Sequence, residues 1–388
     1  MDKNKNGLHA PSAIKLPIFQ DEPCCNAVKN DVTGATPRLD QPFITGTIPT
    51  KAGNVPQVQP VLTRRDRWGS VKARLGIDRM NYKVDPGLYA LGNPDTSSPV
   101  LVTANYKMSF DRLRGGLPGL NAWILVLDTK GINVWCAAGK GTFGTEELIR
   151  RIAASGLQNI VSHRNLILPQ LGAPGIAAHS VKKFSGFRVN YGPIRAEDLP
   201  AYLAAGMKAT AAMRIMTFPL KDRAVLIPIE FVEAMKAFLI IAPVFLFLGG
   251  IAGSGSFGAN AASHGLFAVT ALLSAVIGGT VLNPLLLPYL PGRAFSVKGF
   301  FLGFVIAFFL LYLRGSNMQL WSGRAEAAAW FLIIPAVSGY LAMNFTGCST
   351  YTSLSGVKRE MHWALPVQIA AGAAGIVVWF ASRLIAGE

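Results

Sequence analysis

AWILVLDTKGINVWCAAGK, residues 122–140, reads as a buried strand that closes on an acidic residue and then runs toward a cysteine set among small residues. Residues 122–128 (AWILVLD) supply the strand, and 131–135 form a short apolar run leading to Cys136. Upstream, 99–104 (PVLVTA) reads as another buried strand, followed by a helix over 109–114 with Asp111 in its first turn. Downstream, Thr145 is expected to cap a helix carrying Glu146 and Glu147 at its positive end and stopping near Gly156. Runs at 160–168 and 186–191 and a helix over 196–204 continue the alternation. Strands and helices in turn predict a Rossmann-like α/β layer over residues 61–210, in which ligands bind beyond the carboxyl ends of strands. Thr103, Asp128 and Cys136 fall at such an edge: Thr103 ends one strand, Asp128 ends another, and Cys136 follows a third, the run 131–135.

The charges divide the chain in two. Of 37 Lys and Arg and 21 Asp and Glu, 29 and 16 precede Val225, so only 13 charges occupy the last 164 residues. A soluble surface cannot stay that apolar in water. Runs at 237–253, 265–287, 297–313, 327–345 and 364–382 have the length needed to cross a bilayer, which predicts an all-α transmembrane domain of five helices over 237–388. Glu230, Glu233 and Lys236 belong to an amphipathic entry turn in a linker over 211–236. Lys and Arg are missing from loop 254–264, while Arg293, Lys298, Lys358 and Arg359 flank the second and fourth loops. Arg314 and Arg324 weaken that bias, which nevertheless places the soluble half in the cytoplasm of a multi-pass protein of the inner membrane. The first 25 residues are polar, without the apolar core of a cleavable signal. The excess of positive charge favours an anionic leaflet or an acidic partner, and no motif points to nucleic acid.

Residues 1–60 are rich in Pro, Gly, Asn and Thr without periodicity and are expected to form a loosely ordered tail. Cys24 and Cys25 are adjacent within it, able to bind a soft metal or simply incidental; Cys348 lies near a membrane boundary. No CxxC occurs, so the chain carries no sign of an iron–sulfur cluster of its own. The loop 169–175 lines a cleft or merely turns the chain, and His163 and His179 match no common metal spacing. By its residues alone, Cys136 is either a structural thiol or a reactive one.

The segment Asn133-Val134-Trp135-Cys136-Ala137-Ala138-Gly139-Lys140 resembles the signature of the HgcA family, the corrinoid proteins of microbial mercury methylation, at every position. The likeness extends to a cytoplasmic domain similar to that of the corrinoid iron–sulfur protein, followed by about five membrane helices. It implies a cap helix with Cys136 as the lower axial ligand of a base-off, cobalamin-type corrinoid, a cobalt–thiolate bond. Asn133, Val134 and Trp135 would hold the cap, Ala137, Ala138 and Gly139 would clear the ring, Lys140 would lie near its polar side chains, and Thr103 would bond on the same face. The implied activity is that of a methyltransferase: the methyl group leaves cobalt toward Hg(II) as a carbanion equivalent, helped by the thiolate donor opposite. The implied partners are a separate methyl-donating methyltransferase and an HgcB-type ferredoxin with two 4Fe–4S clusters. Two other readings stay open: a membrane-anchored corrinoid methyl carrier of one-carbon or acetyl-CoA metabolism, and a transporter with a regulatory soluble half. Against the transporter, the spans carry almost no charge, with Asn283-Pro284 and Asn344 as their few polar marks.

Overall fold

Side chains on successive strand residues go to opposite faces of a sheet, and the central strands here send an apolar residue both ways. Val100, Val102 and Ala104 of one strand join Trp123, Leu125 and Leu127 of its neighbour in one buried cluster, while Leu101 joins Ala122, Ile124 and Val126 in the other. A sheet with two such faces must be covered twice. The computed structural model describes residues 36–251, 253, 255–315, 318–345 and 354–385; the adjacent Cys24 and Cys25, and Cys348, lie outside them.

Its soluble part runs β1 (Ile44–Thr50), β2 (Gly53–Val58), α1 (Arg64–Arg74), β3 (Gly87–Leu91), β4 (Val100–Ala104), α2 (Lys107–Gly115), β5 (Ala122–Leu127), α3 (Val134–Lys140), α4 (Thr145–Ala154), β6 (Asn165–Leu168), α5 (Ala178–Ser185), β7 (Arg188–Tyr191) and α6 (Leu199–Ala204). The sheet order is β1-β2-β3-β5-β4-β6-β7. Strands β5, β4, β6 and β7 are parallel, and β3 returns antiparallel to β5. The chain steps from β4 to β5 and then back across β4 to β6, so the parallel part is doubly wound, with its switch point between β4 and β6. Phe110 and Leu113 of α2 and Leu199 and Tyr202 of α6 cover one face; Ala137, Ala138, Leu148, Ile152 and Val181 of α3, α4 and α5 cover the other.

Several expectations need correction. Residues 44–58, assigned to the loose tail, form the β1–β2 hairpin, whose ladder runs from Thr47↔Pro56 to Thr50↔Gly53. Its edge position explains the misreading: β1 alternates half-buried with exposed residues, and β2 pairs with β3 only at Gln57 and Val58. Pro49 and Pro56 are tolerated there as they would not be in a central strand. The run 131–135 is no strand, because Asn133 starts a helix within it. Gly144, rather than Thr145, is the cap residue of α4; the Thr145 hydroxyl instead accepts from the Ala177 N–H at 2.8 Å. Asp111 lies beyond the first turn of α2 and is buried. It completes a quartet in which Lys107 reaches Asp66 at 2.7 Å and Asp111 at 2.6 Å, and Arg114 reaches Asp111 at 2.8 Å and Asp66 at 2.9 Å. The quartet joins α2 to α1, whose capping box pairs Thr63 with Asp66.

Among the described residues five helices, Leu220–Ile251, Phe257–Leu286, Phe295–Arg314, Trp321–Asn344 and Gly356–Leu384, are long and apolar enough to cross a membrane. The fourth is the most enclosed, 67% of its apolar window being buried, and so forms the centre of the bundle. Small residues allow the close approach: a Cβ on Gly303 would meet Pro335 Cα at 2.5 Å, and one on Gly299 would meet Ser338 O at 2.6 Å. The spans are less free of charge than the sequence suggests. Glu326 is buried against Arg314 at 2.9 Å, and Arg314 and Arg383 both donate to His264 Nδ1, at 2.7 and 3.0 Å, so four spans meet at one charged node. Glu360 accepts from the Ser296 N–H at 2.6 Å, and Asn283 is fully buried. Pairing is what makes the charged groups tolerable at such positions, whereas the Asn283 amide has no hydrogen-bond partner among the described residues.

Candidate functional site: a capped sheet edge

Beyond the carboxyl end of β5 the chain turns through Asp128–Ile132 around one buried side chain, Asn105, which follows β4 directly. Its amide oxygen accepts from the Thr129 N–H (3.1 Å), the Thr129 hydroxyl (2.8 Å) and the Gly131 N–H (3.0 Å), and its amide nitrogen donates to Asp128 (3.1 Å). The Thr129 hydroxyl lies 2.6 Å from the Ile132 carbonyl as well, and its single proton serves one of these two oxygens at a time. Lys130 and Gly131 both adopt left-handed backbone, φ 59° and 74°, and a Cβ on Gly131 would stand 2.9 Å from the Met80 carbonyl oxygen, so glycine is required there. Burial would raise the Asp128 carboxyl, yet hydrogen bonds from the Lys130 side chain and N–H hold it below the ordinary carboxylate range. It is therefore an anion that staples the turn.

The turn delivers Asn133 as the cap of α3. Its side-chain oxygen accepts from the Cys136 N–H at 2.9 Å, and Gly141, at φ 80°, ends the helix one turn later. Ala137 and Ala138 face down onto the sheet and are buried; Cys136, half-buried, shares the opposite face at i, i+3 and i+4 with the exposed Gly139 and Lys140. A Cβ on Gly139 would find no atom within 4 Å. Beneath α3, Phe143 is fully buried, and the short helix Gln170–Gly175 packs so closely that a Cβ on Gly175 would lie 2.1 Å from the Phe143 carbonyl oxygen. The loop at 169–175 thus supports the cap from below.

The segment 133–140 is brought together as one helix and its cap, with Val134 packed on the core and Trp135 half-buried. Thr103 is not brought to it. The residue is buried on β4, where strand alternation turns it to the face of Leu101, away from α3. His163 is structural: the Asn165 N–H donates to its Nδ1 at 3.2 Å, which leaves Nε2 to donate to the Ser98 carbonyl at 2.9 Å. Among the described residues no three His, Cys, Asp or Glu side chains converge on a common metal position. Asn105 and Phe143 went unnoticed in sequence; the available signal for Asn105 was a polar residue directly after an apolar strand at a carboxyl edge. Asn105→Leu should strand the buried Thr129 and Gly131 N–H groups and destabilise the soluble domain by roughly 2–4 kcal/mol, measured by denaturant unfolding, with exchange of the 129–136 amides accelerated more than that of the central strands.

The class this defines is an α/β domain that presents a helix-borne thiol over its carboxyl edge, joined to a membrane-capable helical bundle. Residues 75–203, spanning β3 to β7, match the family model described as CO dehydrogenase/acetyl-CoA synthase delta subunit. Curated relatives named acetyl-CoA decarbonylase/synthase complex subunit gamma include those of Methanopyrus kandleri, 33% identical over 37% of this chain and 30% of the relative, and Methanocaldococcus jannaschii, 39% identical over 30% and 23%. That of Methanothermobacter thermautotrophicus is 31% identical over 38% and 31%. The chain thus spans less than a third of the length of these relatives, and the family match ends before the membrane helices begin.

Proposed function

We propose that this chain is a membrane-anchored corrinoid protein that passes a methyl group from a corrinoid seated over α3 to a soft acceptor, Hg(II), forming methylmercury. The observation that carries the reading is the exposed face of α3. A sulfur donor stands there beside a position without a side chain, and Gly139 leaves open the space a broad planar group needs. A single protein donor suffices for a metal that arrives already bound in a macrocycle, and the lone sulfur is of that kind. A corrinoid bound there would supply a cobalt able to carry a methyl group, and Cys136 would hold that cobalt through its thiolate.

The protein's own part is to position that sulfur. Asn133 and the Asn105-bound turn hold the start of α3, Ala137 and Ala138 anchor it on the sheet, and Phe143 and Gly175 prevent it from sinking. A thiolate donates more strongly than imidazole or water, which favours departure of carbon with its electron pair toward a cation. Thr103 has no part in this reading. In this reading the soluble half faces the cytoplasm, as the distribution of Lys and Arg favours, with a ferredoxin of the HgcB type carrying two 4Fe–4S clusters as reductant and a separate methyltransferase as methyl donor.

A second reading keeps the corrinoid and changes the acceptor: a methyl carrier of one-carbon or acetyl-CoA metabolism. The names of the relatives favour it. Anaerobic cells producing the chain with its ferredoxin and given Hg(II) separate the two, because methylmercury follows from the first and corrinoid loading without methylmercury from the second. Gly139→Ala probes the seat itself with effects of opposite sign. Alanine suits a helix better than glycine by up to about 1 kcal/mol, so the melting temperature of the corrinoid-free protein should hold or rise, while corrinoid affinity falls by about tenfold, the equivalent of about 1.4 kcal/mol. Unchanged affinity in a spectroscopic titration would place the corrinoid elsewhere.

A further inference from the structure

Helix α1 lies outside the family match and outside the site, and its surface is unusual. Arg64, Trp68, Val71 and Lys72, at i, i+4, i+7 and i+8, form one exposed stripe, flanked by Arg65 and Arg67. Trp68 is 60% exposed, and Ile77 and Met80, just beyond the helix, are 54% and 60% exposed. The inner side is committed elsewhere: Ala73 is buried, the single acidic residue, Asp66, is held by Lys107 and Arg114, and Gly69 packs against the Tyr82 ring. The outward face, with four cations against the one exposed carboxylate of Asp78 just beyond the helix, therefore combines an excess of positive charge with large apolar side chains, the composition of helices that lie in a membrane interface.

The fold puts this face at the level of a bilayer. Gly76, directly after α1, sits against the helix Ile227–Ile251, where a Cβ on it would be 3.2 Å from Glu233 Oε1 and 3.5 Å from Ile229 Cδ1. Glu233, paired with Lys236 at 2.6 Å, precedes the apolar stretch by about 6 Å of helix rise, which falls within the headgroup layer of about 5–7 Å that borders the hydrocarbon on each side. We propose that α1 and the segment through Met80 form a docking surface for anionic lipid headgroups, with Trp68, Val71, Ile77 and Met80 entering the interface and Arg64, Arg65, Arg67 and Lys72 pairing with phosphates. The surface fixes the orientation of the soluble domain against the membrane through contacts separate from its covalent tether.

The test uses the full chain reconstituted in vesicles of phosphatidylcholine alone or with about one-third phosphatidylglycerol, a fraction that gives a strongly negative surface. The difference between the native chain and Trp68→Phe isolates Trp68 fluorescence. We expect that signal to be quenched by lipids brominated near the headgroup in the anionic vesicles, to be shielded there from aqueous iodide, and to return toward the zwitterionic value at high salt. Arg64→Gln/Arg65→Gln/Lys72→Gln should weaken the docked state by about fivefold per charge removed and abolish the lipid dependence. Trp68 open to iodide in both vesicle types overturns the proposal and leaves the face to a soluble partner. Equal lipid quenching in both types overturns it as well, since contact without a preference for charge is not headgroup recognition.

Discussion

Cys136→Ala should abolish methyl transfer while leaving the soluble domain folded. The expected separation follows from how α3 is built. The cap bond from Asn133 is made to the backbone N–H of Cys136, and the residues that bury the helix are Ala137 and Ala138, so alanine at 136 keeps the cap bond and both buried alanines. The change in unfolding free energy should stay within about 1 kcal/mol, ordinary for a half-buried site. The loaded protein should also change colour, because replacing sulfur by water or by nothing at one axial position alters the donor set of the metal. Cys136→His, which keeps a donor of lesser strength, should retain corrinoid with a third spectrum and transfer methyl slowly. An absorption spectrum of the anaerobically purified full chain, beside those of both variants, checks the reading. Identical spectra in the native and alanine forms at equal loading would show that the thiol never meets the metal.

Arg114→Met should be the most destabilising single change in the soluble domain. Arg114 has no exposed side-chain surface and donates to Asp66, Asp111 and the Gln59 carbonyl oxygen; its loss leaves two buried carboxylates to share one ammonium. Breaking one partner out of a buried ion set costs roughly 3–5 kcal/mol, measurable as a displaced denaturant midpoint in the detergent-purified chain. The quartet also sets the acid response. Burial acts to raise the Asp66 carboxyl, but Lys107 and the Thr63 cap outweigh it and hold it far below the usual carboxylate range. A carboxylate depressed in the folded state lends stability that is complete above its unfolded value, near pH 4, and drains away as pH falls below that. The native protein should therefore keep this contribution down to about pH 4 and lose it progressively below, and Arg114→Met, already less stable, should unfold at a higher pH. Loss of the α1–α2 contact would also detach the Trp68 face from its platform, so the two measurements cross-check one another.

Much of this architecture is written in local pattern. Apolar runs of membrane length with few charges leave a chain almost no choice but to span, and the five helices fall where those runs are. Strands β4 and β5 announce themselves because both of their faces are buried, so almost every residue is apolar. The octet 133–140 folds as a unit for equally local reasons: an asparagine cap, a run of small residues and a closing glycine are all the geometry of α3 requires. Other features belong to distance. The β1–β2 hairpin has half-exposed strands and two prolines, so nothing in its own composition separates it from a tail until β3 provides an edge to pair with. Thr103 is well placed by sequence because it ends a strand at the carboxyl edge, yet which face it occupies depends on which side of the sheet α3 crosses. The roles of Asn105, of Glu326 among its arginines, and of Trp68 at the level of the headgroups were equally invisible: each depends on partners from 12 to more than 150 residues away, and a buried hydrogen bond or ion pair leaves no periodic trace in the chain that makes it.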